Sequence, residues 1–187
     1  NGRIYVLSRG AEQLGQRVSK ITFDHQFQGQ FGSFGAEDGR FVWPRSIDLD
    51  ETGRVFVSDE HVNRITIFDE EGAYRYHWGR SGSEDGQLNG PSGIAFDSHG
   101  TIWVVDSLNH RVQSFSQIGE FQSKFGKQGI GDGDLEMPWG ICVDRQDNIY
   151  VADWGNNRVQ KFAPNGELLV KFECSSTGVG SLKGPSG

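Results

Sequence analysis

Short apolar runs alternate along the chain with glycine-, asparagine- and aspartate-rich breaks, and nowhere do apolar residues recur at the 3.6-residue helical period. The most regular runs are Val55-Phe56-Val57, Ile102-Trp103-Val104 and Ile149-Tyr150-Val151. Each flanks an aromatic with β-branched residues, which suits a strand buried on both faces. Thr52-Gly53, His99-Gly100 and Asp147-Asn148 precede them and read as hairpin turns that tolerate positive φ. Upstream of each turn lies another apolar stretch ending in aspartate: Ile47-Asp48-Leu49-Asp50, Ile94-Ala95-Phe96-Asp97 and Ile141-Cys142-Val143-Asp144. Downstream come third strands opening at Arg64, Arg111 and Arg158, then fourth strands closing near Trp78, Phe125 and Phe172 after a glycine turn.

These elements recur with a period of 47 residues, seen in Pro44, Pro91, Pro138 and Pro185, in Asp59, Asp106 and Asp153, and in Arg17, Arg64, Arg111 and Arg158. A fixed period of about 40–50 residues with several short strands per repeat describes a β-propeller blade. The expected fold is therefore all-β: a β-propeller of four-stranded antiparallel blades forming a single domain over residues 1–187. Residues 1–35 read as a partial blade with an insertion, because Gly2 to Arg17 is 15 steps and Gly53 to Arg64 is 11. Residues 36–79, 80–126 and 127–173 read as full blades, and 174–187 as the start of the next. The tail Leu182-Lys183-Gly184-Pro185-Ser186-Gly187 nearly repeats Leu88-Asn89-Gly90-Pro91-Ser92-Gly93, so the chain reads as a piece ending inside a blade.

The strings Asp106-Ser107-Leu108-Asn109-His110-Arg111-Val112-Gln113-Ser114-Phe115 and Asp153-Trp154-Gly155-Asn156-Asn157-Arg158-Val159-Gln160-Lys161-Phe162, with the Pro-x-Gly lead-ins, closely resemble the NHL repeat. The resemblance implies a propeller of six blades, of which about four are represented here. It also implies a top face made of the loops between strands two and three and the loops leading into strand one.

Composition and charge narrow the functional classes. The chain has 27 Gly alongside 13 Phe, 5 Trp and 4 Tyr, which fits many tight turns around an aromatic core rather than disorder. A net charge of −7 argues against nucleic acid, which needs clustered Lys and Arg. No apolar run reaches the ~20 residues of a membrane-spanning helix, and no charged-then-apolar leader opens the chain. Cys142 and Cys174 do not share a repeat position, so they form no recurring framework, and Cys142 is expected to be a buried small hydrophobe. The compartment is not indicated.

Asp59, Asp106, Asp153, Arg64, Arg111 and Arg158 recur in every blade, whereas a catalytic site is needed once, so they are assigned structural roles in turns and ion pairs. Asp38-Gly39, Asp85-Gly86 and Asp132-Gly133 lack calcium-loop spacing and read as turns. His61 and His110 occupy equivalent loops two positions apart and are the one histidine pair worth considering for a metal; surface placement is preferred. A family enzyme, the lyase acting on peptidyl-α-hydroxyglycine, bears zinc-ligand histidines directly after the lead-in proline. Those positions here hold Arg45, Ser92, Trp139 and Ser186. No nucleophile elbow, His-Glu-x-x-His pair or phosphate loop is present. No cofactor is therefore expected, an axial calcium or zinc having no motif behind it.

Recognition residues should differ between blades while scaffold columns repeat. The variable top-face candidates for ligand binding are Arg45, His61, His110, Trp139, Trp154 and Asn156, with Trp43 beside them. The expected function is a binding or scaffold module for a protein, peptide or carbohydrate. The alternatives are a metal-dependent propeller enzyme of the lyase or lactone-hydrolase type and an RNA-binding propeller.

Overall fold

The computed structural model describes residues 2–10, 15–173 and 183–186. The strands, numbered in chain order, form four antiparallel meanders. The first sheet has three strands, β1 (Arg3–Ser8), β2 (Arg17–Thr22) and β3 (Phe27–Phe31). The second contains β4 (Pro44–Leu49), β5 (Val55–Asp59), β6 (Arg64–Phe68) and β7 (Tyr74–Trp78). The third contains β8 (Pro91–Phe96), β9 (Ile102–Asp106), β10 (Arg111–Phe115) and β11 (Phe121–Phe125). The fourth contains β12 (Gly140–Val143), β13 (Ile149–Asp153), β14 (Arg158–Phe162) and β15 (Leu168–Glu173). In each four-stranded sheet the first strand lies at the inner edge and the fourth at the outer edge. The hairpin turns ahead of β5, β9 and β13 use positive φ at Gly53, Gly100 and Asp147, so in the last the left-handed residue is Asp147 and not Asn148.

The core lies between sheets. One cluster joins Val18 and Phe31 of the first sheet to Val55, Val57 and Phe68 of the second; another joins Ile65, Ile67 and Trp78 to Ile102, Val104 and Phe115; a third joins Val105, Val112 and Phe125 to Ile149, Val151 and Phe162. An aromatic pair repeats across each junction. Phe31 meets Phe68, Trp78 meets Phe115 and Phe125 meets Phe162 at centroid separations of 4.8, 4.9 and 4.5 Å. Gly72, Gly119 and Gly166 turn back against those same rings, and a Cβ at each would lie 2.5–2.8 Å from Phe31, Trp78 or Phe125. The glycine turn is therefore a packing requirement of the junction as well as a left-handed turn. Phe172, next in this column after Phe125, is 46% exposed.

The inner strands touch directly. Gly93 N–H donates to Trp139 O at 2.9 Å, Ile94 N–H to Ser46 Oγ at 3.3 Å and Phe96 N–H to Asp48 Oδ2 at 2.9 Å. Cys142 follows Asp48 and Ala95 in this column, and instead of being buried it is exposed, because β8, the inner strand β12 packs on, lies to its other side and leaves it only partly covered. Burial pushes the Cys142 thiol up, with Asp144 adding to the shift.

Buried ion pairs tie the loop that precedes strand one to the hairpin of strands two and three. Asp106 accepts from Asn89 N at 2.6 Å, Arg111 Nε at 2.7 Å, Asn109 Nδ2 at 2.9 Å and Gln113 Nε2 at 3.0 Å. Arg111 in turn donates to the carbonyls of Glu84 and Gln87. Asp153 repeats this with Glu136 N, Asn156, Arg158 and Gln160, and Arg158 grips the carbonyls of Ile130, Gly131 and Asp134. The second sheet departs from the pattern, because Val62 and Thr66 stand where the others have Asn and Gln. Its Asp59 keeps the lead-in amide, Val42 N at 2.7 Å, and takes Trp43 N at 3.0 Å in addition, while Arg64 keeps its three loop carbonyls, Ala36, Glu37 and Arg40. The expected Arg64–Asp59 ion pair is thus not made, and Arg64 Nε and Thr66 Oγ1 are buried without a hydrogen-bond partner among the described residues.

The acidic loop residues make outer links rather than a cation cage. Asp38, Asp85 and Asp132 reach His77, Lys124 and Lys171, equivalent positions on the fourth strands.

Two predictions follow from these contacts. Val62→Asn combined with Thr66→Gln completes the network of the second sheet and raises unfolding stability by about 1 kcal/mol, measured by urea denaturation; a loss of stability contradicts the assignment. Turn carboxylates supply the second. Against desolvation, which raises it, hydrogen bonds from Asn148 and Lys161 lower the Asp144 pKa, and Thr52 and Arg54 do the same for Asp50. A carboxyl lowered in the folded state stabilises above its unfolded value and loses that contribution as pH falls. The urea midpoint should therefore fall steeply below about pH 4, and Asp144→Asn should flatten that fall.

Candidate functional site

The loops after β5, β9 and β13 lie against the loops that lead into β4, β8 and β12, forming one face of the propeller. Glu60 N–H donates to Trp43 O, Leu108 N–H to Asn89 O and Gly155 N–H to Glu136 O. One column of residues pins each lead-in loop to the neighbouring hairpin. Asn63 Oδ1 accepts from Gly90 N at 2.8 Å, His110 Nδ1 from Met137 N at 3.1 Å and Asn157 Oδ1 from Gly184 N at 2.8 Å.

On this face the variable residues gather around Arg45. Its guanidinium pairs with Glu60 and lies 4.5 Å from the ring centroid of Trp139 and 5.8 Å from that of Trp43. Arg9 approaches Trp43 from elsewhere, at 5.4 Å. Partial burial, then the charge of Arg45, lowers the Arg9 pKa, while Glu60 opposes the shift. Trp139 and Trp154 are 5.9 Å apart with their planes tilted by 52°. A chain of hydroxyls fixes the backbone under Trp139: Ser107 Oγ donates to Pro138 O, and Ser92 Oγ donates to Trp139 O at 2.8 Å.

Several clefts open here. One is bounded by Arg45, Glu60, Ser92, Leu108, Met137 and Trp139; a second by Leu7, Arg9, Ser46, Ile47 and Trp139; and a third by Trp43, His61, Asn63, Asn89 and Leu108. Trp43, Leu108 and Trp154 are 47%, 45% and 40% exposed, so the rim presents apolar surface beside guanidinium.

Of the residues singled out in the sequence, Arg45, Trp139 and Trp154 come together at this rim. His61 is exposed beside Trp43 and Leu108. His110 is turned to the Met137 amide and approaches Glu136 at 3.6 Å. Asn156 donates to Gly129 O and Asp153 Oδ2, so its amide is committed to the loop clasp. Arg9 escapes sequence reasoning because it lies in the partial first blade, beside the insertion that breaks the repeat register. Trp43, Leu108 and Met137 carry a signal, being positions where the three blades disagree.

Asp48 is the other carboxylate of the inner strands with an altered environment. Burial raises its pKa against the pull of the Phe96 and Leu49 amides. Among the described residues no three His, Cys, Asp or Glu side chains assemble into a metal-binding group, and no helix is long and apolar enough to cross a membrane.

Comparison with known proteins places this geometry in context. Human NHL repeat-containing protein 3 is 34% identical over 70 residues, which is 37% of this chain and 20% of that protein. The B-box type zinc finger protein ncl-1 of Caenorhabditis elegans is 35% identical over 47 residues, 25% of this chain and 6% of that protein. Among solved structures, catalytically inactive virginiamycin B lyase from Staphylococcus aureus with quinupristin superposes with a TM-score of 0.63 at 18% identity, covering 92% of this chain and 55% of the lyase. A chain of the nidogen/laminin complex gives 0.65 at 18% identity, covering 91% of this chain and 59% of its own length. This chain thus spans a fifth or less of those curated relatives and somewhat over half of the solved structures. The structural likenesses establish a β-propeller fold, and the sequence matches establish a propeller-type repeat. The model of the SMP-30/gluconolactonase/LRE-like region matches residues 46–181, and the chain belongs to that family.

Proposed function

We propose that the protein is a binding module whose top-face rim receives a protein or peptide partner, with a carbohydrate as the other ligand class considered. The observation that carries this reading is a division of labour within the repeat. The constant Asp and Arg are consumed in internal hydrogen bonds, whereas the residues that change from blade to blade supply the exposed Trp43, Leu108 and Trp154 around Arg45. Aromatic and arginine side chains on a concave rim are the usual anchors of recognition, because they bury much area at small entropic cost. The nidogen/laminin complex contains a propeller of this fold, which supports a binding role.

A second reading, a metal-dependent enzyme, is favoured by the family match and by the virginiamycin B lyase likeness. It requires an axial metal whose ligands would come partly from outside the described residues. Mass spectrometry of the purified protein under native conditions separates the two. Stoichiometric metal supports the enzyme; a folded, metal-free protein that selects peptide ligands supports the binding module.

For the leading reading, peptides selected from a displayed random library against the full chain should lose at least tenfold in affinity on Trp43→Ala or Trp154→Ala, with the unfolding midpoint nearly unchanged because both rings are well exposed. Selected peptides that bind both variants as well as the parent would place recognition elsewhere.

A further inference from the structure

Two guanidiniums, Arg9 and Arg45, meet at the Trp43 side of the rim although the chain as a whole carries −7. Arg45 has a side chain only 13% exposed, and its Nε is taken by Glu60, while its two terminal nitrogens make no hydrogen bond among the described residues. Arg9 forms no ion pair among the described residues, and the carboxylate that acts on it is the same Glu60. One carboxylate therefore serves two guanidiniums that flank the ring of Trp43 from 5.4 and 5.8 Å. Both line the cleft formed with Leu7, Ser46 and Ile47. Two like charges held together beside low-polarity rings repel each other, and a second carboxylate between them relieves that repulsion.

The apolar surroundings define what carries that carboxylate. Trp43, Leu108 and Trp154 offer exposed apolar surface next to the charged cleft. Two of the nearby hydroxyls have spent their protons, Ser92 Oγ and Ser107 Oγ donating to backbone carbonyls, and Ser46 Oγ already accepts from Ile94 N–H. A saccharide would need free polar groups for its many hydroxyls, whereas a peptide with an acidic residue beside an apolar one matches what is presented. On the reading of this face as a binding surface, we propose that the Arg9–Arg45 cleft captures an Asp or Glu carboxylate of a peptide, while an adjacent apolar side chain of that peptide seats against Trp43 and Leu108.

The test is an array of short synthetic peptides, each bearing a single Asp or Glu flanked by Leu, Phe or Trp, printed beside its Asn or Gln counterpart and probed with the full chain. Acidic peptides should be retained about tenfold more strongly than their amide twins, the worth of one charge-assisted contact. Arg9→Gln should bring that ratio close to one while the unfolding midpoint stays unchanged. Arg45→Gln, which leaves Glu60 to balance Arg9, should do the same. Equal retention of acidic and amide peptides would overturn the carboxylate site and leave the binding surface standing. Retention of polyuridylate in place of any peptide would overturn both.

Discussion

The buried contact between a strand-end aspartate and the arginine that opens the next strand, as in Asp106–Arg111 and Asp153–Arg158, is the constraint on which the rest of this structure hangs. Each carboxylate is fully buried yet surrounded by donors, from a lead-in amide, an Asn, a Gln and the Arg itself. Burying an ion pair is costly, and saturation of its lone pairs offsets that cost. What the arrangement contributes is geometry. The arginine reaches past its own hairpin to loop carbonyls such as Glu84 and Gln87, so the loop that opens the blade is held by the strands that follow it. The top face inherits its shape from that hold.

Packing between blades is built from the same period. The outer aromatic of one sheet, the third-strand aromatic of the next and the glycine turn that admits them form a junction at Phe31–Phe68, Trp78–Phe115 and Phe125–Phe162. Each blade buries its faces only against its neighbours, so stability accumulates junction by junction. Direct inner-strand contacts, such as Gly93 with Trp139, then bring the residues after Pro44, Pro91 and Pro138 close to one another. That is how Arg45 comes to lie over Trp139, although 94 positions separate them in the chain.

The period of 47 made strands, turns and the blade pattern legible, because strands buried on both faces and Gly- or Asp-bearing turns leave unmistakable columns. It also brought out Arg45, Trp139 and Trp154 as departures from the columns. Four features were not legible. Arg9 sits beside an insertion, where register offers no equivalent position. His110 and Asn156 vary in type, yet both satisfy loop groups, and a changed side chain can still perform an inherited structural bond. The Asp59–Arg64 pairing failed because it depends on Val62 and Thr66, neighbours whose loss of donors leaves the carboxylate to add the Trp43 amide to the lead-in amide of Val42 that every blade provides. Cys142 is exposed because burial in this fold is decided by the adjacent blade and not by the strand's own sequence.

Residue-level hydrogen exchange of Asp106→Asn against the parent chain addresses the central claim most directly. That substitution keeps the side-chain shape and removes the charge that Arg111, Asn109 and Gln113 converge on. The account predicts that the amides of Gln87, Leu88 and Asn89 lose protection far more than those of β9 and β10. Unchanged loop protection, or a uniform loss across the whole sheet, would contradict it.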